Sequence, residues 1–175
     1  VRRFGSSYYS RKYNAELRDR LCEGGANRVY FDEAFSQPMD PEGDDAFAAA
    51  LARHKGKVFL GGNSFLRRAA DGSLALRPLE KFRQNAQIRS FRSERSPFSL
   101  TIEAYFNDLS GQERVPTISA DIAKHSGPPE ETYRPDWSIQ VDTIPTVGLT
   151  GVLDRTVDPS GFNDKDVVVG VTSDD

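Results

Sequence analysis

Apolar residues recur every fourth position in "SRKYNAELRDRLCEGG", which places Tyr13, Leu17 and Leu21 on one stripe of a helix. Ser10 stands at its N-cap position, and Gly24–Gly25 closes it. The pattern then changes. "RVYFDEAF" is dense in β-formers and predicts a strand, while the prolines and glycine of "SQPMDPEGDD" predict a loop. Helical spacing returns in "DAFAAALARH", with Asp44 or Asp45 as cap, Phe47 and Leu51 on one face, and Gly56 beyond its end. "KVFLGGN" is the next strand. Strand, helix, strand is a βαβ unit, in which parallel neighbours are joined by a right-handed crossover.

Further along, "LEKFRQNAQIRSF" predicts a short helix running into a strand, and "PFSLTIEAYF" a further strand. "VPTISADIAKHSG" predicts a helix with Pro116 near its start, Ile118 and Ile122 on one face and Gly127 past its end. "WSIQVD" is expected as a strand, "VGLTGVLD" as a short helix and "DPSGFNDK" as a turn. The last apolar run, Val167–Val169 in "DVVVGVTS", suggests a strand covered on both faces in the middle of a sheet. The expected fold is a single α/β domain with a mixed, mainly parallel central sheet and helices on both faces.

Composition fits this picture. The chain has 175 residues, 37% hydrophobic and 28% charged, a balance that excludes disordered and fibrous classes. No apolar run approaches the ~18 residues of a membrane span. Cys22 is the sole cysteine, so neither an intrachain disulfide nor a cysteine-based zinc site can form. Charge is asymmetric. Residues 1–95 carry 18 basic against 12 acidic side chains (+6), and residues 96–175 carry 5 against 14 (−9). The arginines of the basic half are spread through a loop-rich stretch with no recognised binding motif, so no nucleic acid is expected as a partner.

Catalytic motifs are absent from the sequence: there is no phosphate loop, no Gly-x-Gly-x-x-Gly, no Gly-x-Ser-x-Gly and no His-Glu-x-x-His. His54 and His125 each fall at a predicted helix C-terminus, where an imidazolium complements the helix dipole. The acids Asp40, Glu42, Asp44 and Asp45 lack a calcium-loop register, and two of them serve better as helix caps. No catalytic residue, metal or cofactor is expected. In open α/β sheets ligands bind beyond strand carboxyl ends. Asp32 and Glu33 after the first strand, Asn63 after "VFLGG" and Thr172 after "VVVGV" share that edge and are the candidate ligand-binding residues. Tyr133 and Trp137 beside Pro135 are a second candidate surface, either for recognition or for packing.

Two blocks in order resemble a known family. "YNAELRDRLCEGGANRVYFDEAFSQPMDPEGDDAFAAALARHKGKVFLGG" has its helix, Gly-Ala turn, strand closing on Phe-Asp, acidic loop and Ala-rich helix. "IQVDTIPTVGLTGVLDRTVDPSGFNDKDVVVGVTSDD" has its Ile-Pro, Val-Leu-Asp, Val-Asp-Pro and valine-strand succession, and "VPTISADIAKHSG" resembles the helix between the two. The chain is thus similar to the type-two CHASE domain, the cyclase/histidine-kinase-associated sensory extracellular module of bacteria. It departs from that pattern in three places, one of them "TSDD", which has only the start of the family's ending. The family's opening strand is absent before "FGSSYYSRKY", and "RSERSPFSLTIEAYF" replaces its Asp-Gly-x-x-Arg step.

The resemblance implies that residues 1–175 form the periplasmic sensory domain of an inner-membrane receptor, without the flanking transmembrane helices. It implies coupling of a small-molecule or environmental stimulus to a cytoplasmic diguanylate cyclase or phosphodiesterase, adenylate cyclase or kinase. A homodimer is a further expected partner state. The residues by themselves leave two other readings. One is a soluble α/β small-molecule-binding protein or enzyme working at the edge near Asp32. The other is a dimerisation module using the 133–137 segment.

Overall fold

The computed structural model describes residues 10–62, 77–91, 101–107, 114–128, 132–136 and 138–170. Helix α1 (Arg11–Glu23) starts where Ser10 accepts the Lys12 N–H and ends where the Gly24 N–H bonds the Arg20 carbonyl. Strand β1 (Arg28–Phe31) follows, and then α2 (Pro41–Arg53), β2 (Val58–Gly62), α3 (Glu80–Arg83) and β3 (Gln87–Ser90). β1 pairs parallel to β2, and β2 parallel to β3, so the expected βαβ unit is present.

α2 begins earlier than its apolar pattern suggests. Its cap is Asp40, whose carboxylate accepts the Gly43 N–H at 2.6 Å, with Pro41 in the first helical position. Proline at that position has a preset φ and lacks the N–H that would go unpaired there. Asp44, released from capping, is buried inside the first turn. Ser10 Oγ donates to Asp40 Oδ2 at 3.0 Å, which ties the starts of α1 and α2 together.

The middle of the chain breaks into short pieces. β4 (Ile102–Glu103) pairs antiparallel with β7 (Thr132–Tyr133), and β5 (Tyr105–Asn107) with β6 (Arg114–Pro116). The single strand expected over "PFSLTIEAYF" is interrupted at Ala104, whose carbonyl takes the Thr117 N–H at 2.9 Å. Helix α4 (Ile118–Ile122) starts behind the Thr117 hydroxyl cap, so Pro116 belongs to β6 and not to the helix. Residues 138–142, the described part of "WSIQVD", do not form a strand. Asp136 accepts both the N–H and the hydroxyl of Ser138, and Val141–Thr143 winds into a 3-10 turn. Such local side-chain bonds compete with a ladder. α5 (Leu149–Leu153), a 3-10 turn at Pro159–Phe162 and β8 (Asp166–Val169) complete the described chain.

The four-stranded sheet has the order β3-β2-β1-β8 and is parallel throughout, with the antiparallel pairs in two separate ribbons. Side chains alternate across it. Val29, Phe31, Val58 and Leu60 face α1 and α2 in a core with Leu17, Leu21, Phe47 and Leu51. On the opposite face Tyr30 stacks on Phe59 at 4.7 Å, and α4 covers them. Asp121 of α4 accepts the Tyr30 hydroxyl at 2.6 Å and pairs with Arg89 at 3.1 Å and Arg28 at 3.5 Å. Helices therefore lie on both faces, as the alternation of elements implies.

β8 corrects one expectation. Among the described residues it is an edge strand, bonded only to β1. Val167 and Val169 pack against the core, but Val168, on the α4 face, is 52% exposed because α4 does not reach that far. Among the described residues no helix is long and apolar enough to cross a membrane.

Candidate functional site

Parallel strands bring their carboxyl ends to one edge. From β1 the chain crosses to β2 and β3, while β8 lies on the other side of β1, so the strand order reverses between β1 and β8. That is where an open α/β sheet leaves a crevice. Asp32 sits at this point, and its N–H donates to the Val169 carbonyl at 2.7 Å. A Cβ added at Gly170 would lie 3.6 Å from Asp32 Cβ, so the Asp32 side chain leans across the end of β8. Glu33 is its neighbour. Asn63 and Thr172 continue β2 and β8 in sequence but lie outside the described residues, as does Trp137. Tyr133 pairs with Ile102 in a ribbon, and its hydroxyl shares a hydrogen bond with Ser119, which is a packing role.

The edge is acidic, and its electrostatics have identifiable causes. Partial desolvation by the surrounding protein pushes the Asp32 carboxyl above its ordinary value. The same effect raises Glu33, with the nearby Arg11 guanidinium opposing it. Both residues remain exposed, so the shifts arise from dense surroundings and not from a sealed pocket. Arg11 itself is buried. Its NH1 donates to Asp44 Oδ1 at 2.5 Å and its NH2 to the Gln37 carbonyl at 2.6 Å. Its guanidinium lies 5.5 Å from the Phe35 ring centre and 5.2 Å from that of Phe82.

This arginine sits behind the candidate edge, and an apolar-stripe reading of α1 misses it. The signal was available: Arg11, Ala15 and Arg18 recur at helical spacing and are all buried. Asp32 and Glu33 can accept hydrogen bonds or hold a cationic group. Among the described residues no three His, Cys, Asp or Glu side chains are arranged to hold a metal ion.

The histidines are carried on elements at opposite faces of the sheet. His54 caps α2, but desolvation and then Arg18 lower its pKa, so it favours the neutral ring and not the imidazolium expected at a helix C-terminus. His125 follows α4, with its N–H on the Ala120 carbonyl at 2.9 Å and its ring between Tyr105 and Tyr133. Cys22 is half-buried, and burial pushes its thiol pKa up, the opposite of an activated nucleophile.

The raised carboxyls carry a stability prediction. A group whose folded pKa exceeds its unfolded value binds its proton more tightly in the fold. Stability therefore falls as pH rises from the unfolded value, about 4, through the raised one. Asp32→Asn with Glu33→Gln is expected to raise the melting temperature at pH 7 by about 2 °C, the scale of a screened surface charge. It should have no effect below about pH 4. Calorimetry at the two pH values checks this, and an equal shift at both would contradict it.

The family model of the CHASE2 domain matches residues 1–175. No curated protein and no solved structure matches the chain. The match runs the full length of the chain, and the chain belongs to the CHASE2 domain family of receptor sensory domains.

Proposed function

We propose that this domain is the periplasmic sensor of a bacterial inner-membrane receptor, which controls a cytoplasmic diguanylate cyclase or phosphodiesterase, adenylate cyclase or kinase. The family match over the whole chain is the observation that carries this reading. The domain itself performs no chemistry in this account. A ligand at the edge of Asp32, Glu33, Asn63 and Thr172 favours one of two packings of the domain or of its dimer. Flanking membrane helices carry the difference inward. Transmission requires that the ligand bind the two states with different affinity.

Topology is the decisive test. An alkaline phosphatase fused after residue 175 in the parent receptor is active only if that point lies outside the inner membrane, and a fluorescent protein at the same position should stay dark. The converse pattern, a bright fluorescent protein with inactive phosphatase, would place the domain in the cytosol and end the receptor reading. For ligands, a metabolite present at 100 times its Kd adds about 2.7 kcal/mol to stability. A thermal-shift screen therefore detects binders directly.

A further inference from the structure

A second concavity lies away from the strand edge, between the end of α1 and the chain that follows α5. Its floor is apolar, made of Val152, Val157, Pro159 and Phe162. Its charged rim is Arg20 and Glu23 on α1 and Arg155 on the opposite wall, and the cavity holds about 300 Å3. That is the lower end of the ~300–1,000 Å3 range of small-ligand sites.

The walls are fixed by short-range structure. Arg155 adopts φ 59° just past Asp154, the C-cap of α5, and the Thr156 N–H returns to the Gly151 carbonyl at 2.9 Å. Asp158 caps the next turn by accepting the Ser160 N–H at 2.9 Å. A Cβ at Gly24 would come within 2.7 Å of the Pro159 carbonyl oxygen, so only glycine lets α1 end so close to this wall.

The charges on the rim select a ligand. Arg20 is occupied by Glu16 at 3.0 Å. The side chains of Glu23 and Arg155 form no ion pair among the described residues, although both line the cavity. One exposed acid and one exposed base, neither in an ion pair among the described residues, therefore line the same cleft as these apolar side chains. A phosphate would be repelled by Glu23 and a simple amine by Arg155, while a hydrocarbon would leave both charges unused. A zwitterion with a hydrocarbon side chain satisfies all three surfaces.

We infer that this cleft binds a free apolar α-amino acid of about leucine size. The carboxylate meets Arg155, the ammonium meets Glu23, and the side chain lies on Val152, Val157 and Phe162. The inference rests on the sensory reading only for its purpose, and it gives the domain a second ligand site, apart from the Asp32 edge.

Isothermal titration of the domain with L-leucine tests it. Glycine, 4-methylpentanoate and 3-methylbutylamine serve as controls that lack the side chain, the ammonium and the carboxylate respectively. Leucine is expected to bind, with each control at least about tenfold weaker. Arg155→Asn, chosen because asparagine tolerates positive φ, and Glu23→Gln should each weaken leucine at least about tenfold, with circular dichroism confirming their fold. Glu103→Gln, at an exposed position of β4 that lines neither site, should leave leucine binding unchanged. Absence of leucine binding up to millimolar concentration overturns the inference, as does binding insensitive to both cleft variants or lost in Glu103→Gln. The topology fusions judge the sensory reading separately. An externally placed domain that ignores leucine refutes the cleft alone, and a cytosolic domain that binds leucine refutes the receptor alone.

Discussion

Replacing Arg11 by methionine is expected to destabilise the domain by about 3–5 kcal/mol, the cost of leaving a buried charge without its partner. Arg11 and Asp44 are each only 3% exposed and bond at 2.5 Å. In the variant Asp44 keeps a bond from the Met39 N–H at 3.3 Å but loses its counter-charge. The second guanidinium bond, to the Gln37 carbonyl, is lost as well, and with it the tie that holds the loop after Asp32 and Glu33. The double variant Arg11→Met, Asp44→Leu should recover most of the loss, because an apolar pair of similar volume avoids the desolvation that the ion pair carries. Urea titration of the single and double variants gives the coupling. Additive losses would mean that the two residues stabilise the fold independently.

Much of the sheet could be read in the chain because short local patterns dictate it. The stripe Tyr13, Leu17, Leu21, the caps Ser10 and Gly24, and the β-rich runs around Val29 and Val58 each act within a few residues. Their consequence, a parallel βαβ unit, follows from handedness alone. The failures have one cause: position in the sheet is set by partners far away in sequence. Three valines are written alike whether their strand lies at the centre or the edge. Val168 is exposed only because α4 extends over β1, β2 and β3 and stops short. "WSIQVD" has the composition of a strand, but Asp136 and Ser138 bond locally first, and no neighbouring strand offers a ladder among the described residues.

The candidate edge was half legible for the same reason. Strand ends locate Asp32 and Glu33, since parallel strands share one carboxyl edge. Arg11, which moderates Glu33 from below, reaches the site from a helix preceding β1. An arginine on a helix face is ordinarily solvated, and only the arrival of Asp44 and the Gln37 carbonyl makes its burial tolerable. The cleft of Glu23 and Arg155 was invisible in the chain, because its two walls are separated by most of the sequence and meet only through the close approach at Gly24.

Phe47→Ala should rival the arginine variant, with a loss of about 3–5 kcal/mol. Phe47 is fully buried, and its ring lies 4.7 Å from Phe35, 5.2 Å from Phe82 and 5.6 Å from Phe31. These rings come from α2, α3, β1 and the loop after β1, so an alanine there removes the contacts of α2 with three other segments at once. The rings of Phe35 and Phe82 are also those on which the Arg11 guanidinium rests, so the cavity would open beneath the buried ion pair. Loss of packing there should weaken Arg11–Asp44, and the two variants combined should cost less than their sum. Phe47→Leu keeps most of the volume and should cost less than about 1.5 kcal/mol. Denaturant midpoints with unchanged slopes give both values. A Phe47→Ala loss near that of Phe47→Leu would mean that the four rings do not pack as one cluster, and that Arg11 is held by Asp44 and Gln37 alone.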